Sequence, residues 1–431
     1  MHLAWRSYLL VIITAVIAVA GIWSSEPALP RLWHLSGALL LLGLAVEGLA
    51  VRRLLPRTRI DTATPAFLGR RQPGAVVFEN SSQRMLTLEY APATPAGFEA
   101  PVEPRRLRLP PRSVRQDPLS LLPVRLGPQL WPHLPARLRG PLSLAWWDVS
   151  LAPQAHAAVA PDTLRGSARV SGFAAGSRAR PSAGAGQELY QLRGYAAGDP
   201  LTRIDWKATA RTGELVSREY SEDQHLDILI AIDAGRLSRV RAGALDRLGL
   251  YCNAAARLAE IVTHNDDRIG LMVYAERVLV SCPPARGLGA VMRLRAALAR
   301  LLAQGAESDP IAAAISMRKL LRQRALIILL TDLDDATIAA ALVRAVRLLA
   351  PPHLVLVAGI HSGEIETLAR GAAQCWEDPW IALAAAEHEA RAARQRSLLQ
   401  RLGAPVAAAP AERLEATLLQ RYEALRRSRR I

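Results

Sequence analysis

The sequence predicts an α/β protein built on a Rossmann-like, mostly parallel sheet, preceded by two transmembrane helices and a small β-rich module. Three observations carry that prediction. From residue 226 onward, short apolar runs alternate with stretches of helical periodicity, the pattern of a parallel sheet covered by helices on both faces. Before residue 55 lie two long apolar stretches, and between these and the α/β region prolines recur among short apolar alternations. The expected order is therefore a transmembrane hairpin (1–55), a β-sandwich-like module (56–158), a flexible linker (159–190), a charged segment (191–225), the α/β domain (226–376) and a C-terminal helical arm (377–431).

Leu3–Trp23 and Trp33–Val51 are almost wholly apolar. At about 1.5 Å per residue, each is long enough to cross a hydrocarbon core of about 30 Å. Trp5, Tyr8, Trp23 and Trp33 stand near the ends, where amphipathic rings favour the membrane interface. The connection from Ser24 to Leu32 carries Arg31 alone, whereas Arg52, Arg53, Arg57 and Arg59 follow the second stretch, which orients everything after residue 51 to the cytoplasm. Ala18-Val19-Ala20 also resembles a signal-peptide cleavage site, a second reading that leaves the orientation unchanged. Glu47 lies about a turn from Arg52 and Arg53 and is expected to pair with them; the alternative is a functional intramembrane carboxylate.

In 56–158, regularly spaced prolines break any long helix, and Ala75–Phe78, Met85–Tyr90 and Leu142–Val149 read as short strands. Trp146 and Trp147 point to opposite faces of one strand, one expected in the core and the other at an inter-domain contact. The stretch GSRARPSAGAGQ is short of hydrophobic bulk and reads as a tether. Its Gly184-Ala185-Gly186 follows no predicted strand and lacks a Gly-Lys-Ser/Thr ending, which excludes a phosphate loop.

The segment 191–225 opens on the turn Gly198-Asp199-Pro200. Asp199, Arg203, Asp205, Trp206 and Arg211 follow at close spacing, and two readings stand: a recognition surface for a partner, or an ion-pair network with Trp206 packed over the sheet edge. The α/β region then places strands at Leu226–Asp233, Arg268–Tyr274, Ala325–Asp332 and Leu354–Ile360, with an antiparallel edge piece at Val278–Ser281. Helices are expected over Leu245–Thr263, Leu288–Leu302, Ile311–Arg322 and Ala336–Ala350. Asp233 and Asp332 close two of the strands, at the edge where open α/β sheets bind ligands.

These residues also carry a resemblance. GYAAGDPLTRIDWKATAR, then REYSED and a strand ending in Asp233, resembles the bacterial family known as domain of unknown function 58. ENSSQRMLTLEY and RLRGPLSLAWWDVSLAP extend the likeness upstream. The resemblance implies a von Willebrand factor A-like domain and a MoxR-type AAA+ ATPase as partner. Such domains often hold a divalent ion through an Asp-x-Ser-x-Ser after the first strand, a distant Thr and an Asp after the fourth. Carried onto this chain, the pattern falls on Asp233, Gly235, Leu237, Ser308 and Asp332. Both carboxylates are kept and Ser308 replaces the threonine, but Gly235 and Leu237 offer no hydroxyl. Ser238 lies one residue out of register, and Asp334 and Asp335 add charge nearby. Magnesium wants near-octahedral oxygen ligands, so the expected site is a degenerate one, with Asp233 otherwise capping a helix or pairing with an arginine such as Arg236. After the last strand, the family's Asp-Pro-x-Glu survives only as Glu364 of His361–Glu364.

The net charge of +16 and pI near 10.8 point towards nucleic acid or anionic lipid. Almost all of that charge is arginine, lysine occurring only at Lys207 and Lys319, and the basic segments lack the interleaved aromatics of single-strand binders, so no nucleic acid is expected. Cys252, Cys282 and Cys375 have no metal spacing and are expected as reduced thiols. His225, His264, His353 and His361 stand at no recognisable spacing from a nucleophile. The C-terminal arm reads as helices over Pro379–Arg401 and Ala411–Arg427, broken at Gly403–Pro410, with the terminal RRSRR either solvated or touching anionic lipid. The expected function is a non-catalytic adaptor at the bacterial inner membrane, working with a MoxR-type ATPase and without a cofactor. The rivals are a metal-dependent enzyme or ligand-binding protein using Asp233 and Asp332, and a basic nucleic-acid-binding protein.

Overall fold

A computed structural model describes residues 2–23, 29–101, 103–162, 183–221, 226–333 and 335–427. Two units emerge, Met1–Asp162 with Leu298–Leu302, and Thr163–Ala297 with Ala303–Ile431.

In the first unit, helices Trp5–Trp23 and Leu29–Arg53 pack together. Trp33–Arg53 is long and apolar enough to cross a membrane, while Trp5–Ala20 is a shorter apolar helix. Ile12, Val16, Leu39, Leu41 and Leu49 turn outwards, as lipid-facing side chains would. The rest of the unit is β-rich. One sheet runs His2–Leu3, Ala145–Leu151, Leu134–Arg139, Leu86–Tyr90, Arg105–Leu109, and another Arg57–Thr62, Gln72–Asn80, Ser113–Pro123, Phe98–Glu99. Phe78 of the second meets Tyr90 of the first edge to face, ring centroids 4.8 Å apart, among fully buried Leu88, Leu121 and Leu138. The Tyr90 hydroxyl donates to Asp117, which Arg105 also holds at 3.0 Å. Burial first, and then that carboxylate, push the Tyr90 phenol well above its usual range.

Glu47 does not pair with Arg52 or Arg53. Its carboxylate is fully buried and accepts the backbone N–H groups of Leu142 (3.1 Å), Leu144 (3.2 Å) and Ala145 (3.1 Å) at the tip of the Leu134–Arg139/Ala145–Leu151 hairpin. The tip's amides need acceptors, and an apolar helix surface offers none but this acid. Ser7 of the first helix donates to Leu144 O from the other side. Nor does either tryptophan of the hairpin fill the core: both are half-buried. Trp147 lies against Gly48, where a Cβ would come within 2.7 Å of its ring, and the Arg106 guanidinium sits 5.1 Å over Trp146.

The second unit begins with a hairpin of strands Ala183–Gly194 and Val216–Ser221. Residues 183–190, expected as the end of a tether, are therefore strand, because Val216–Ser221 supplies the backbone partner that composition cannot reveal. The rest of the tether stretch up to residue 182 lies, from 163, outside the described residues. The main sheet consists of β1 (Asp227–Asp233), β2 (Arg268–Tyr274), β3 (Val278–Ala285), β4 (Ala325–Leu330), β5 (Leu354–Ile360) and β6 (Val406–Ala409), in the order β3-β2-β1-β4-β5-β6 among the described residues. All neighbours are parallel except β2 and β3. The helices are α1 (Arg247–His264), α2 (Gly287–Leu298), α3 (Pro310–Leu320), α4 (Ala336–Leu349), α5 (Gly363–Arg370), α6 (Asp378–Arg401) and α7 (Leu414–Arg427).

The strands are apolar on both faces because both faces are covered. Leu229, Ala231, Ile327, Leu329 and Val357 pack on Ala314 and Met317 of α3, Val346 of α4 and Leu399 of α6. Ile228, Ile230 and Ile232 alternate to the other face, where α1 and α7 lie. Each such fully buried side chain contributes roughly 1.5–3 kcal/mol. The C-terminal stretch is not a separate arm: Val406–Ala409, expected as a helix break, pairs in parallel with β5, and α7 packs on α1. Alanine favours strands weakly, and only the open edge of β5 makes this segment one.

Candidate functional site

Residues at the C-terminal ends of β1 and β4 form the strongest candidate site. These strands are neighbours whose connections leave on opposite sides, through α1 and α4, the arrangement at which open α/β sheets bind their ligands. Asp233, closing β1, is buried. Its Oδ1 accepts Gly235 N at 2.9 Å and the Ser308 hydroxyl, and its Oδ2 accepts the Thr331 hydroxyl at 2.8 Å. The structure thus brings Asp233 and Ser308 together. Ser238 donates at 2.5 Å to the Asp233 backbone carbonyl instead of joining the carboxylate. Arg236 does not reach Asp233 either; it leans outwards to Glu307 at 3.3 Å.

Gly235 has a packing reason. The 304–308 loop lies against it, with Gln304 N donating to Ala234 O at 2.7 Å and Arg236 N to Ala306 O at 2.8 Å. A Cβ at 235 would run into Ser308 Oγ and come within 3.1 Å of Ala306 O, so a serine there and Ser308 in this pose exclude each other. Behind the carboxylate, the ring of Tyr274 is fully buried; burial and then Asp233 push its phenol well above the ordinary value.

Asp332, following β4, is also buried, and its partner is Arg247 in the first turn of α1. The two side chains are 10% and 7% exposed, which makes this a buried ion pair. Asp246 caps α1 from its side chain to Gly249 N at 2.7 Å, and Tyr251 donates to Thr331 O at 3.0 Å, so α1 is tied to the β4 end at successive turns. Asp335 caps α4 through Thr337 N and Ile338 N, and Asp334 lies outside the described residues. The residues present do not fit a divalent ion: a guanidinium already compensates Asp332, and Gly235 and Leu237 bring no side-chain oxygen. Among the described residues, no group of three or more His, Cys, Asp or Glu stands close enough to hold one.

Sequence reasoning missed Arg247 and Thr331. A signal for Arg247 existed, since a cation in the first turn of a helix opposes the helix dipole and needs an acid to hold it there. Thr331 carried none, being one more residue at a strand end.

The 191–225 segment resolves differently from the expected network. Arg193 bridges Asp199 (2.7 Å) and Glu219 (3.0 Å), while Asp205 caps helix Trp206–Thr212 through Lys207 N and Ala208 N and pairs with Arg218 at 2.9 Å. These pairs hold the carboxyls of Asp199, Asp205 and Glu219 below their usual range, the arginine bond being the largest cause for the first two and the Gln191 bond for the third. Trp206 is not packed over the sheet edge; it is 66% exposed, and Lys207 and Arg211 beside it are exposed too. Arg203 is half-buried near Asp199. Of the histidines, His361 lies 3.3 Å from Glu389, His353 is buried with its pKa lowered mainly by that burial, and His225 lies outside the described residues.

Comparison with known proteins finds uncharacterized relatives and one family model. An uncharacterized protein of Mycobacterium tuberculosis is 24% identical over 203 residues, covering 46% of this chain, and the chain spans 61% of that relative's length. Among solved structures, the conserved hypothetical protein BatB from Bacteroides thetaiotaomicron is similar with a TM-score of 0.30 and 13% identity, over 46% of this chain and 99% of BatB. An uncharacterized membrane spanning protein from Vibrio fischeri gives a TM-score of 0.19 and 18% identity, over 47% of this chain and 98% of the other. The resemblance read from GDPLTRIDW is borne out by a family model: that of the family described as protein of unknown function DUF58 matches residues 191–373.

Proposed function

We propose that the chain is a membrane-anchored, non-catalytic adaptor that presents its second unit to a protein partner, a MoxR-type AAA+ ATPase, in protein assembly or envelope maturation. The observation that carries this reading is the outer face of the Trp206–Thr212 helix. The acids that precede it, Asp199 and Asp205, are paired with Arg193 and Arg218, leaving Trp206, Lys207 and Arg211 turned to solvent on a capped, braced scaffold. Tryptophan and arginine are the residue types that dominate interface energetics, and a rigid support lowers the entropy cost of docking. The von Willebrand factor A-like arrangement is inferred for the α/β unit from the strand order β3-β2-β1-β4-β5-β6 with β3 antiparallel. Two spans with the bulk of the chain in the cytoplasm of a bacterial inner membrane are supported by the apolar helices and by Arg52, Arg53, Arg57 and Arg59 beyond them.

The test is detergent extraction of the tagged full chain from its host, with and without ATP, followed by identification of what co-purifies. A nucleotide-dependent AAA+ ATPase is expected, and Trp206→Ala with Arg211→Glu should abolish its recovery while leaving the thermal midpoint unchanged. A crosslinked preparation free of any ATPase sinks the partner assignment.

A further inference from the structure

The ends of β1 and β4 stand at the edge where open α/β sheets bind ligands, yet the chemistry there is already complete. Two carboxylates, Asp233 and Asp332, are buried at adjacent strand ends. Uncompensated, such a pair is untenable, because burying a charge without a partner costs far more than any single contact returns. Asp233 is satisfied by neutral donors, Gly235 N and the hydroxyls of Ser308 and Thr331. The positive charge comes from within the chain, as Arg247 reaches from α1 to Asp332.

We infer that Arg247 is the resident cation of this edge, replacing a divalent ion, and that whatever docks here does so without a metal. Three features of the site favour a permanent arrangement. A guanidinium is planar and donates in a fixed fork that matches a carboxylate, which a lysine ammonium does not. Its side chain is buried and its backbone stands between the Asp246 cap and the Tyr251–Thr331 bond, so swinging it out means moving the start of α1. Gly235 completes the substitution, because the space a hydroxyl-bearing side chain would occupy there is filled by Ser308. A metal entering beside Arg247 would meet a like charge at contact distance. This inference does not depend on which partner the chain recruits, and it fails or stands separately from the ATPase assignment.

The test uses the full chain in detergent, stripped with a chelator, and reads Mn²⁺ binding by electron paramagnetic resonance alongside thermal unfolding with and without millimolar Mg²⁺. The wild type should show no saturable Mn²⁺ binding and no shift of Tm with Mg²⁺. Arg247→Met should unfold at a markedly lower temperature and regain several degrees when Mg²⁺ is added, since Asp332 then lacks its cation. Arg247→Met with Asp332→Leu should recover most of the lost Tm and ignore Mg²⁺. Saturable Mn²⁺ binding by the wild type that Ser308→Ala weakens would overturn the inference, and so would a folded Arg247→Met with no response to either ion. Should Arg247→Met fail to fold, the wild-type titration decides alone.

Discussion

Glu47 in the first unit and Asp332 in the second are both acids buried where charge is costly, and the chain neutralises them by different means. Glu47 stands on an apolar helix and takes backbone amides from the tip of a hairpin. Asp332 stands at a strand end and takes a whole guanidinium from a helix start. Amides supply partial charge from groups that need acceptors anyway, so Glu47 fastens one structural element to another. An arginine supplies a full charge, so the second pair is electrically closed and leaves little for an ion to do. A buried carboxylate is thus no evidence of a metal or catalytic site until its donors are named.

The largest expected effect is on the closed pair. Arg247→Met should cost about 3–5 kcal/mol, the usual penalty for stranding one buried partner, measured by urea unfolding followed through the tryptophans. Removing both partners as Arg247→Met/Asp332→Leu should cost far less; an equal loss would mean that the pair does not act as a unit. On the other side of the comparison, Glu47→Ala leaves the tip amides of Leu142, Leu144 and Ala145 without their acceptor. A loss of about 2–4 kcal/mol is expected, read as faster proteolysis at the 140–145 tip in micelles. Glu47→Gln, which keeps one acceptor oxygen, should fall between. Gly48→Leu drives a side chain into the Trp147 ring and should cost about 1–3 kcal/mol, seen as a change in tryptophan fluorescence and a lower midpoint.

The exposed ion pairs of the hairpin supply the mildest contrast. Asp199, Asp205 and Glu219 have pKa values lowered in the folded state, so their contribution is present above the ordinary carboxylate range and is lost as pH falls through the lowered values. Hydrogen exchange at Lys207 and Ala208, whose amides Asp205 accepts, should therefore speed up in acid beyond the intrinsic pH trend, and not between neutral and mildly alkaline pH. An exchange rate insensitive to acid would show that the cap holds without its charge.

Much of the α/β unit is legible in the sequence for a local reason. A strand buried on both faces must be apolar throughout, so Asp227–Asp233 and Leu354–Ile360 declare themselves, as does the amphipathic α1 between β1 and β2. Asp233 and Asp332 stand out because a carboxylate ending an apolar run is unusual wherever the run folds. Other features depended on partners distant in the chain. Val406–Ala409 is a strand because β5 has an open edge, Ala183–Gly194 because Val216–Ser221 runs beside it, and Glu47 is held by amides about 95 residues away. The identity of the cation beside Asp332 is of the same kind. Periodicity and composition report how a segment meets its immediate surroundings, whereas the choice between a metal, an arginine or a ring of amides is made by whichever group the tertiary fold carries into reach, and charge compensation inside a low-dielectric interior then makes that choice binding.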